Sequence, residues 1–123
     1  MRHEKIQYLS DKDLEVVDLL IKIGLKKNVA KVLIFLSRTP EATSIAIERG
    51  TDLRQPEVSV AIKSLMNQEL VGSYDIPRTS NGRPLKVYSL TKSSDEIADH
   101  LRIQKKKDME NQMALIKKLE DYF

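Results

Sequence analysis

Apolar residues in the first half of the chain recur three and four positions apart, the spacing of one face of an α-helix. The first such segment follows Ser10-Asp11-Lys12-Asp13, a capping-box variant with Asp in place of Glu, and ends at Gly24. Its apolar face consists of Leu14, Val17, Leu20 and Ile21. A second helix is predicted over residues 29–37, because Asn28 can cap its start and Pro40 follows its end.

Two further helices are predicted in the middle of the chain. The first is short, is capped by Thr43 or Ser44 and ends at Gly50. The second is predicted to have Gln55 as its N-cap, because Pro56 suits the first helical position, and to run to about Glu69. Its inward-facing apolar residues are Val58, Ile62 and Leu65. The residues between them, which include Ser59, Val60 and Lys63, therefore point elsewhere.

The period then changes from that of a helix to that of a strand. Residues 71–76 and 85–90 are predicted to be two short strands. The segment between them is rich in turn-forming and basic residues and has Asn81-Gly82 at its centre. Residues 71–90 are therefore predicted to form a β-hairpin with a positively charged tip.

A last helix is predicted from Ser93 or Ser94 to the C-terminus. Its second half has a near-heptad seam that Gln112 interrupts, formed by Met109, Ile116, Leu119 and Phe123. At 1.5 Å per residue this helix is about 40 Å long, more than a small domain can cover. We expect the seam to form a dimer contact together with Leu14, Val17 and Leu20; packing back on the first helix within one chain is the alternative.

Composition limits the functions to be considered. The 123 residues are typical of one domain, and no apolar stretch is long enough to cross a membrane or resembles a signal peptide. The chain has no cysteine and two histidines, which excludes disulfides, thiolate metal sites and cysteine nucleophiles. We therefore expect a soluble, cytoplasmic protein without a metal or cofactor.

The net charge of +3 lies in one part of the chain. Residues 54–92 contain six basic and three acidic residues, whereas the remainder contains fifteen of each. The whole excess of positive charge thus lies in the segment that contains the fourth predicted helix and the hairpin, which indicates an acidic partner for this segment. The run Lys105-Lys106-Lys107 is interpreted as a solvated helical segment, because Asp108 and Glu110 follow it; contact with flanking phosphates is the alternative.

The order of helix, helix, short helix, helix and hairpin resembles the winged helix-turn-helix of MarR, ArsR and TrmB-type transcriptional regulators. Residues 42–59 are similar to their helix-turn-helix, 61–71 to the end of their recognition helix, and 82–88 to the wing of archaeal members. Asp52 stands where many relatives have Gly, and the Cys and His ligands of the metal-sensing ArsR proteins are missing. The resemblance spans roughly residues 13–90, and the missing ligands argue against metal sensing.

The resemblance implies a mainly α fold with a small β-hairpin, of the α+β class. It predicts one domain over residues 1–123, with a winged helix-turn-helix core over 11–92 and a dimerisation helix over 93–123. It also implies that the first turns of the recognition helix read bases in double-stranded DNA, since a helix fits the major groove. The DNA-binding residues predicted on this basis are Arg54, Gln55, Pro56, Ser59, Val60 and Lys63 of the helix, and Arg78, Arg83 and Lys86 of the wing.

Three classes of function are compared on these observations. The preferred one is a dimeric, sequence-specific DNA-binding transcriptional regulator. The alternative is a winged-helix protein–protein interaction module of a transcription-related assembly, and the net positive charge of residues 54–92 counts against it. An enzyme is not expected, because no catalytic triad, paired carboxylates, metal cluster or Gly-rich phosphate loop is present. Some regulators of this group bind small effectors, but no set of residues here identifies such a ligand.

Overall fold

The computed structural model describes residues 8–77, 82 and 84–123. The helices and strands of these residues are α1 (Asp11–Ile23), α2 (Lys27–Arg38), β1 (Ala42–Thr43), α3 (Ser44–Thr51), α4 (Gln55–Asn67), β2 (Val71–Ile76), β3 (Leu85–Leu90) and α5 (Ser94–Tyr122). The strands form one antiparallel sheet in the order β1-β3-β2. This mainly helical architecture with a small sheet confirms the predicted α+β class. The chain divides into two compact units, Met1–Lys92 and Ser93–Phe123, which are described separately.

Helix α1 has the predicted start and end. The Ser10 hydroxyl accepts a hydrogen bond from the Asp13 backbone N–H at 3.0 Å, and the Asp13 carboxylate accepts one from the Ser10 N–H at the same distance. Gly24 ends the helix with a φ of 123°, a value that L side chains rarely adopt. The capping box and the terminal glycine are therefore confirmed.

The starts of α2 and α4 differ from the prediction by one or two residues. Helix α2 begins at Lys27 with Lys26 as its N-cap, and Asn28 does not cap it. The Asn28 amide donates instead to the Glu57 carboxylate at 3.3 Å, which ties the start of α2 to α4. Helix α4 has Arg54 as its N-cap, because the Glu57 carboxylate accepts a hydrogen bond from the Arg54 N–H at 3.0 Å.

The ends of α3 and α4 depend on residues with positive φ. Helix α3 ends at Thr51 and not at the predicted Gly50, because Asp52 closes it with a left-handed φ of 56°, a conformation that Asp tolerates better than most residues. Helix α4 ends at Asn67 and not at Glu69, because Glu69 has a φ of 61° and leaves the helix. The two-residue strand β1, which was not predicted, pairs Ala42 with Tyr88 and Thr43 with Val87.

The core of Met1–Lys92 lies between the helices and the inner face of the sheet. Its largest fully buried side chains are Val17, Val32, Ile47, Val58, Leu65 and Leu70. The predicted inward-facing residues of α4 are all buried, and Val87 is the buried residue of β3. Helix α4 is therefore fixed by one side, which leaves its opposite side free to contact another molecule.

Asp13 is a charged residue in this core. It is 6% exposed, and the Arg38 Nε donates to its Oδ1 at 3.0 Å. The hydrogen bond from the Ser10 backbone N–H is the main cause of a lowered pKa of Asp13, and the Ser10 hydroxyl and Arg38 add to it, while burial opposes it. The carboxylate thus stays ionised and joins the start of α1 to the end of α2.

The second unit consists of the 29-residue helix α5. Its N-cap is Ser93, whose hydroxyl accepts from the Glu96 N–H at 3.2 Å, and the Glu96 carboxylate accepts from the Ser93 N–H at 3.0 Å. None of its residues is buried. No helix among the described residues is long and apolar enough to cross a membrane.

Candidate nucleic-acid interface

The two sides of α4 differ in chemistry. The inner side consists of Val58, Ala61, Ile62 and Leu65, all of which are buried. The outer side consists of the predicted contacts Gln55, Pro56, Ser59, Val60 and Lys63, all of which are exposed. Val60 is 69% exposed, although an apolar residue is costly to leave in water. The structure therefore gathers the predicted residues of this helix on one accessible face.

The first turn of α4 is held in place by Glu57. One carboxylate oxygen accepts from the Arg54 N–H, and the other accepts from the Asn28 amide of α2. Arg54 is exposed at the very start of the helix, so its guanidinium remains accessible. Through these two hydrogen bonds Glu57 orients the first turn of α4, although Glu57 itself does not lie on the outer side of the helix.

A concave site lies beside α4 on the side of the sheet. It is called the wing-side cavity because β3 belongs to the hairpin that is predicted to form the wing. The cavity has a volume of about 350 Å³ and is lined by residues of α3, α4 and β3. Its polar lining includes Ser44, Gln55, Ser59, Lys63 and Tyr88. One ammonium group and several hydroxyl groups thus face the same space, a combination that suits a phosphate oxygen. Ser44 and Tyr88 were not among the predicted contacts. The strand period places Tyr88 on the same face as Lys86, whereas no local pattern indicates Ser44.

A second concave site lies beside α4 on the side of α2. This α2-side cavity has a volume of about 410 Å³ and is formed by the starts of α2 and α4. Lys26 and Lys27 line it together with Pro56 and Val60 of the outer side of α4. The outer face of α4 therefore stands between two clefts, each of which contains at least one lysine.

The β2–β3 hairpin, called the wing below, carries the remaining predicted contacts. Lys86 is exposed on β3 next to the buried Val87, as the strand period predicts. Its cross-strand partner is Asp75, a negative charge that the sequence analysis did not pair with it. Arg78 and Arg83 lie outside the described residues.

The residues predicted for dimerisation have different surroundings. Leu14 is 41% exposed on α1, whereas Val17 and Leu20 are buried in the core of Met1–Lys92. The four seam residues of α5, Met109, Ile116, Leu119 and Phe123, are all exposed. Met113 and Leu115 are exposed on the same half of α5 and were not among the predicted residues. Met113 lies four positions after Met109, and Leu115 lies four positions before Leu119. This helical spacing is the sequence signal that indicates them.

The described residues contain no group of three or more His, Cys, Asp or Glu side chains that could hold a metal ion. The chemistry that α4 offers is that of amide, hydroxyl, ammonium and methyl groups on one exposed face. These groups recognise the edges of bases and the oxygens of phosphates.

The sequence matches no family model and no curated protein. Its structure is similar to that of a possible transcriptional regulator from Methanosarcina mazei Go1, at 16% identity and a TM-score of 0.61, over 85% of this chain and 86% of that one. It is also similar to TrmBL2, an archaeal chromatin protein described with a novel mode of DNA binding, at 16% identity and a TM-score of 0.60. That match covers 89% of this chain, which spans 40% of the TrmBL2 chain.

A MarR family transcription regulator is a third similar structure, at 18% identity and a TM-score of 0.54, over 92% of this chain and 68% of that one. These likenesses confirm the winged-helix fold that the sequence predicts. In that fold α3 and α4 form the helix-turn-helix and the β2–β3 hairpin forms the wing. The similar structures are described as those of transcriptional regulators and a chromatin protein, not of enzymes.

Proposed function

We propose that this chain is a sequence-specific DNA-binding transcriptional regulator that acts as a dimer. Helix α4 enters the major groove, and the wing lies on the sugar–phosphate backbone and the minor groove. One observation carries the proposal: α4 is anchored by a buried apolar side and exposes five residues able to contact DNA on the other. The similar regulators and the TrmBL2 description support the same function.

Each exposed residue of α4 has a role that its chemistry suits. The Gln55 amide both donates and accepts, which matches the major-groove edge of adenine, and the Val60 methyl groups match that of thymine. The Ser59 hydroxyl binds a base or a phosphate. Arg54 and Lys63 bind phosphate or guanine, and Pro56 fixes the first helical turn.

The wing adds contacts that depend less on sequence. Lys86 is exposed on β3 and binds the backbone. Arg78 and Arg83, which lie outside the described residues, are assigned to the backbone and the minor groove on the sequence alone. Arg83 is assigned to the minor groove because that groove has enhanced negative potential at A·T tracts. Arg83→Ala is therefore expected to weaken binding, and an unchanged affinity would remove this residue from the mechanism.

The partner of α5 in this proposal is a second copy of the same chain. The exposed apolar seam of Met109, Ile116, Leu119 and Phe123 gains stability when it is buried against another apolar surface. Leu14 extends this contact from α1, while Val17 and Leu20 support α1 from inside the core. Two recognition helices then reach half-sites about 10 bp apart, which a single copy with few phosphate contacts would bind weakly.

Selection of bound sequences from a random duplex pool tests the proposal. We expect a palindrome with half-sites about one helical turn apart, and an affinity that falls steeply with salt. A sequence preference without a palindrome would contradict the dimer but not the regulator. Enrichment of no sequence, together with an affinity for duplex DNA that does not depend on salt, would overturn DNA binding and favour a protein-interaction module.

A further inference from the structure

We propose that Lys26 and Lys27 at the start of α2 bind phosphates of the DNA strand that borders α4 on the side away from the wing. The inference rests on the proposed function and adds to it a second backbone contact. These lysines lie outside residues 54–92, the segment with the excess of positive charge. The fold places them beside the outer side of α4.

The position of the two lysines is fixed relative to α4. Both line the α2-side cavity with Pro56 and Val60, which belong to the exposed face of α4. The Asn28 amide, one residue further along, donates to the Glu57 carboxylate at 3.3 Å and joins the two helix starts. A molecule that contacts the first turns of α4 is therefore within reach of both ammonium groups.

The positive charges of the two lysines outnumber the negative charge in their surroundings. Both side chains are exposed, and neither forms an ion pair in the described part of the chain. Glu57 lines the same cavity, and its two oxygens accept from two neutral donors, the Arg54 N–H and the Asn28 amide. With two lysines and one carboxylate, the lining has a net charge of +1. The cavity thus contains two ammonium groups for which an incoming anion is the natural partner.

The geometry of DNA explains why such a partner would be a backbone phosphate. The major groove is about 12 Å wide and a helix with its side chains is about 10–12 Å across, so a helix in the groove has a phosphate backbone on each side. On the wing side of α4, Lys63 lies in a cavity with Ser44 and Tyr88. On the opposite side, Lys26 and Lys27 occupy the corresponding position. The two clefts therefore receive the two strands.

Salt titration of the full-length Lys26→Gln/Lys27→Gln variant tests this inference. Each phosphate contact contributes about 0.9 to the slope of log K against log salt, so the slope should fall by about 1.8. The loss should be equal for the selected duplex and for random duplex DNA, because phosphates carry no sequence information. The Lys26→Arg/Lys27→Arg variant keeps both charges and should keep the slope of the wild type.

The matched control is Lys117→Gln/Lys118→Gln, which removes the same charge from two adjacent exposed lysines on α5 and should leave the slope unchanged. A wild-type slope in the Lys26→Gln/Lys27→Gln variant would overturn the inference and leave the proposed function intact. So would a loss confined to the selected duplex, which would indicate a base contact. If the wild type itself bound DNA without salt dependence, the proposed function would fail first.

Discussion

The two units of the chain bury their apolar residues to very different extents. In Met1–Lys92, α2 buries Val32, Leu33, Phe35 and Leu36 within 12 helical residues. In Ser93–Phe123, α5 has 29 helical residues and buries none. Isolated helices gain little stability by themselves, and most of it comes from packing of an apolar face. The first unit therefore has its own core, whereas α5 exposes a face that a partner would stabilise.

The charged residues differ in the same way. Asp13 of α1 is buried and accepts hydrogen bonds from Ser10 and Arg38. Asp99 and Arg102 of α5 form an ion pair at 2.7 Å with both side chains more than two-thirds exposed. The first pair joins two elements of the fold, and the second joins neighbouring turns of one helix. We expect substitutions in the two units to have correspondingly different effects.

The largest expected effect is the loss of a core leucine. Leu65→Ala should lower the free energy of unfolding by about 2–5 kcal/mol, because Leu65 is fully buried and its removal leaves a cavity. The matched change on α5, Ile103→Ala, removes an exposed side chain and should change it by no more than about 0.5 kcal/mol. Urea denaturation of both variants measures the difference. Equal losses would show that the contrast between the two units is wrong.

The next effect concerns the seam of α5. Ile116→Lys/Leu119→Lys places charges where the proposed dimer buries apolar groups, so it should convert the dimer to a monomer at micromolar concentration. The affinity for a palindromic duplex should fall about 100-fold, since linked half-site binding is lost. Sedimentation and DNA binding measure the two effects. Ala114→Lys adds a charge on the opposite side of α5 and should change neither; a wild type that sediments as a monomer would contradict the dimer.

The sequence predicts most of the fold because its signals are local. The capping box at Ser10, the terminal Gly24 and the change of period at Val71 each depend on a few neighbouring residues, and all are observed. The last helix was predicted to be capped by Ser93 or Ser94, and Ser93 is its N-cap. The start of α2 was predicted two residues too late, and the strand β1 was not predicted. Asn28 has the chemistry of a cap but is used by Glu57, 29 positions away, and β1 exists only because Ala42–Thr43 meets β3.

The candidate site shows the same limit. The outer face of α4 follows from the helical period, and the structure exposes all of its predicted residues. Lys26, Lys27, Ser44 and Tyr88 reach the two clefts through tertiary packing, which no local pattern contains. Similarly, the period places Val17 and Leu20 on one face with Leu14, but only the packed structure shows that these two are buried and Leu14 is exposed.

A comparison of the two aspartate–arginine pairs gives the third prediction. Asp13→Asn should lower the free energy of unfolding at pH 7 by about 1–3 kcal/mol, because it removes the buried negative charge that accepts from the Ser10 N–H and from the exposed Arg38. Asp99→Asn should change it by about 0.5 kcal/mol or less. Folding lowers the pKa of Asp13, so the ionised carboxylate stabilises the wild type fully above the ordinary pKa of aspartate. This stabilisation disappears as the pH falls through the pKa of Asp13 in the folded protein. Denaturation of the wild type and Asp13→Asn between pH 7 and pH 2 measures the difference in their free energies of unfolding. A difference that stays constant over this range would exclude the lowered pKa of Asp13 as its cause.

The smallest expected effect separates the lysines of the two units. Lys63 is exposed on α4 and lines the wing-side cavity, so Lys63→Gln should reduce the slope of log K against log salt by about 0.9. Lys106 lies in the most conspicuous basic run of the chain, on α5, where Asp108 and Glu110 follow it. If that run is a solvated helical segment, Lys106→Gln should leave the slope at its wild-type value. The two variants remove the same charge from the same residue type, so net charge alone would change both slopes equally. Unequal slopes would show that the position of a lysine in the fold determines its contact with DNA, and that membership of a basic run in the sequence does not.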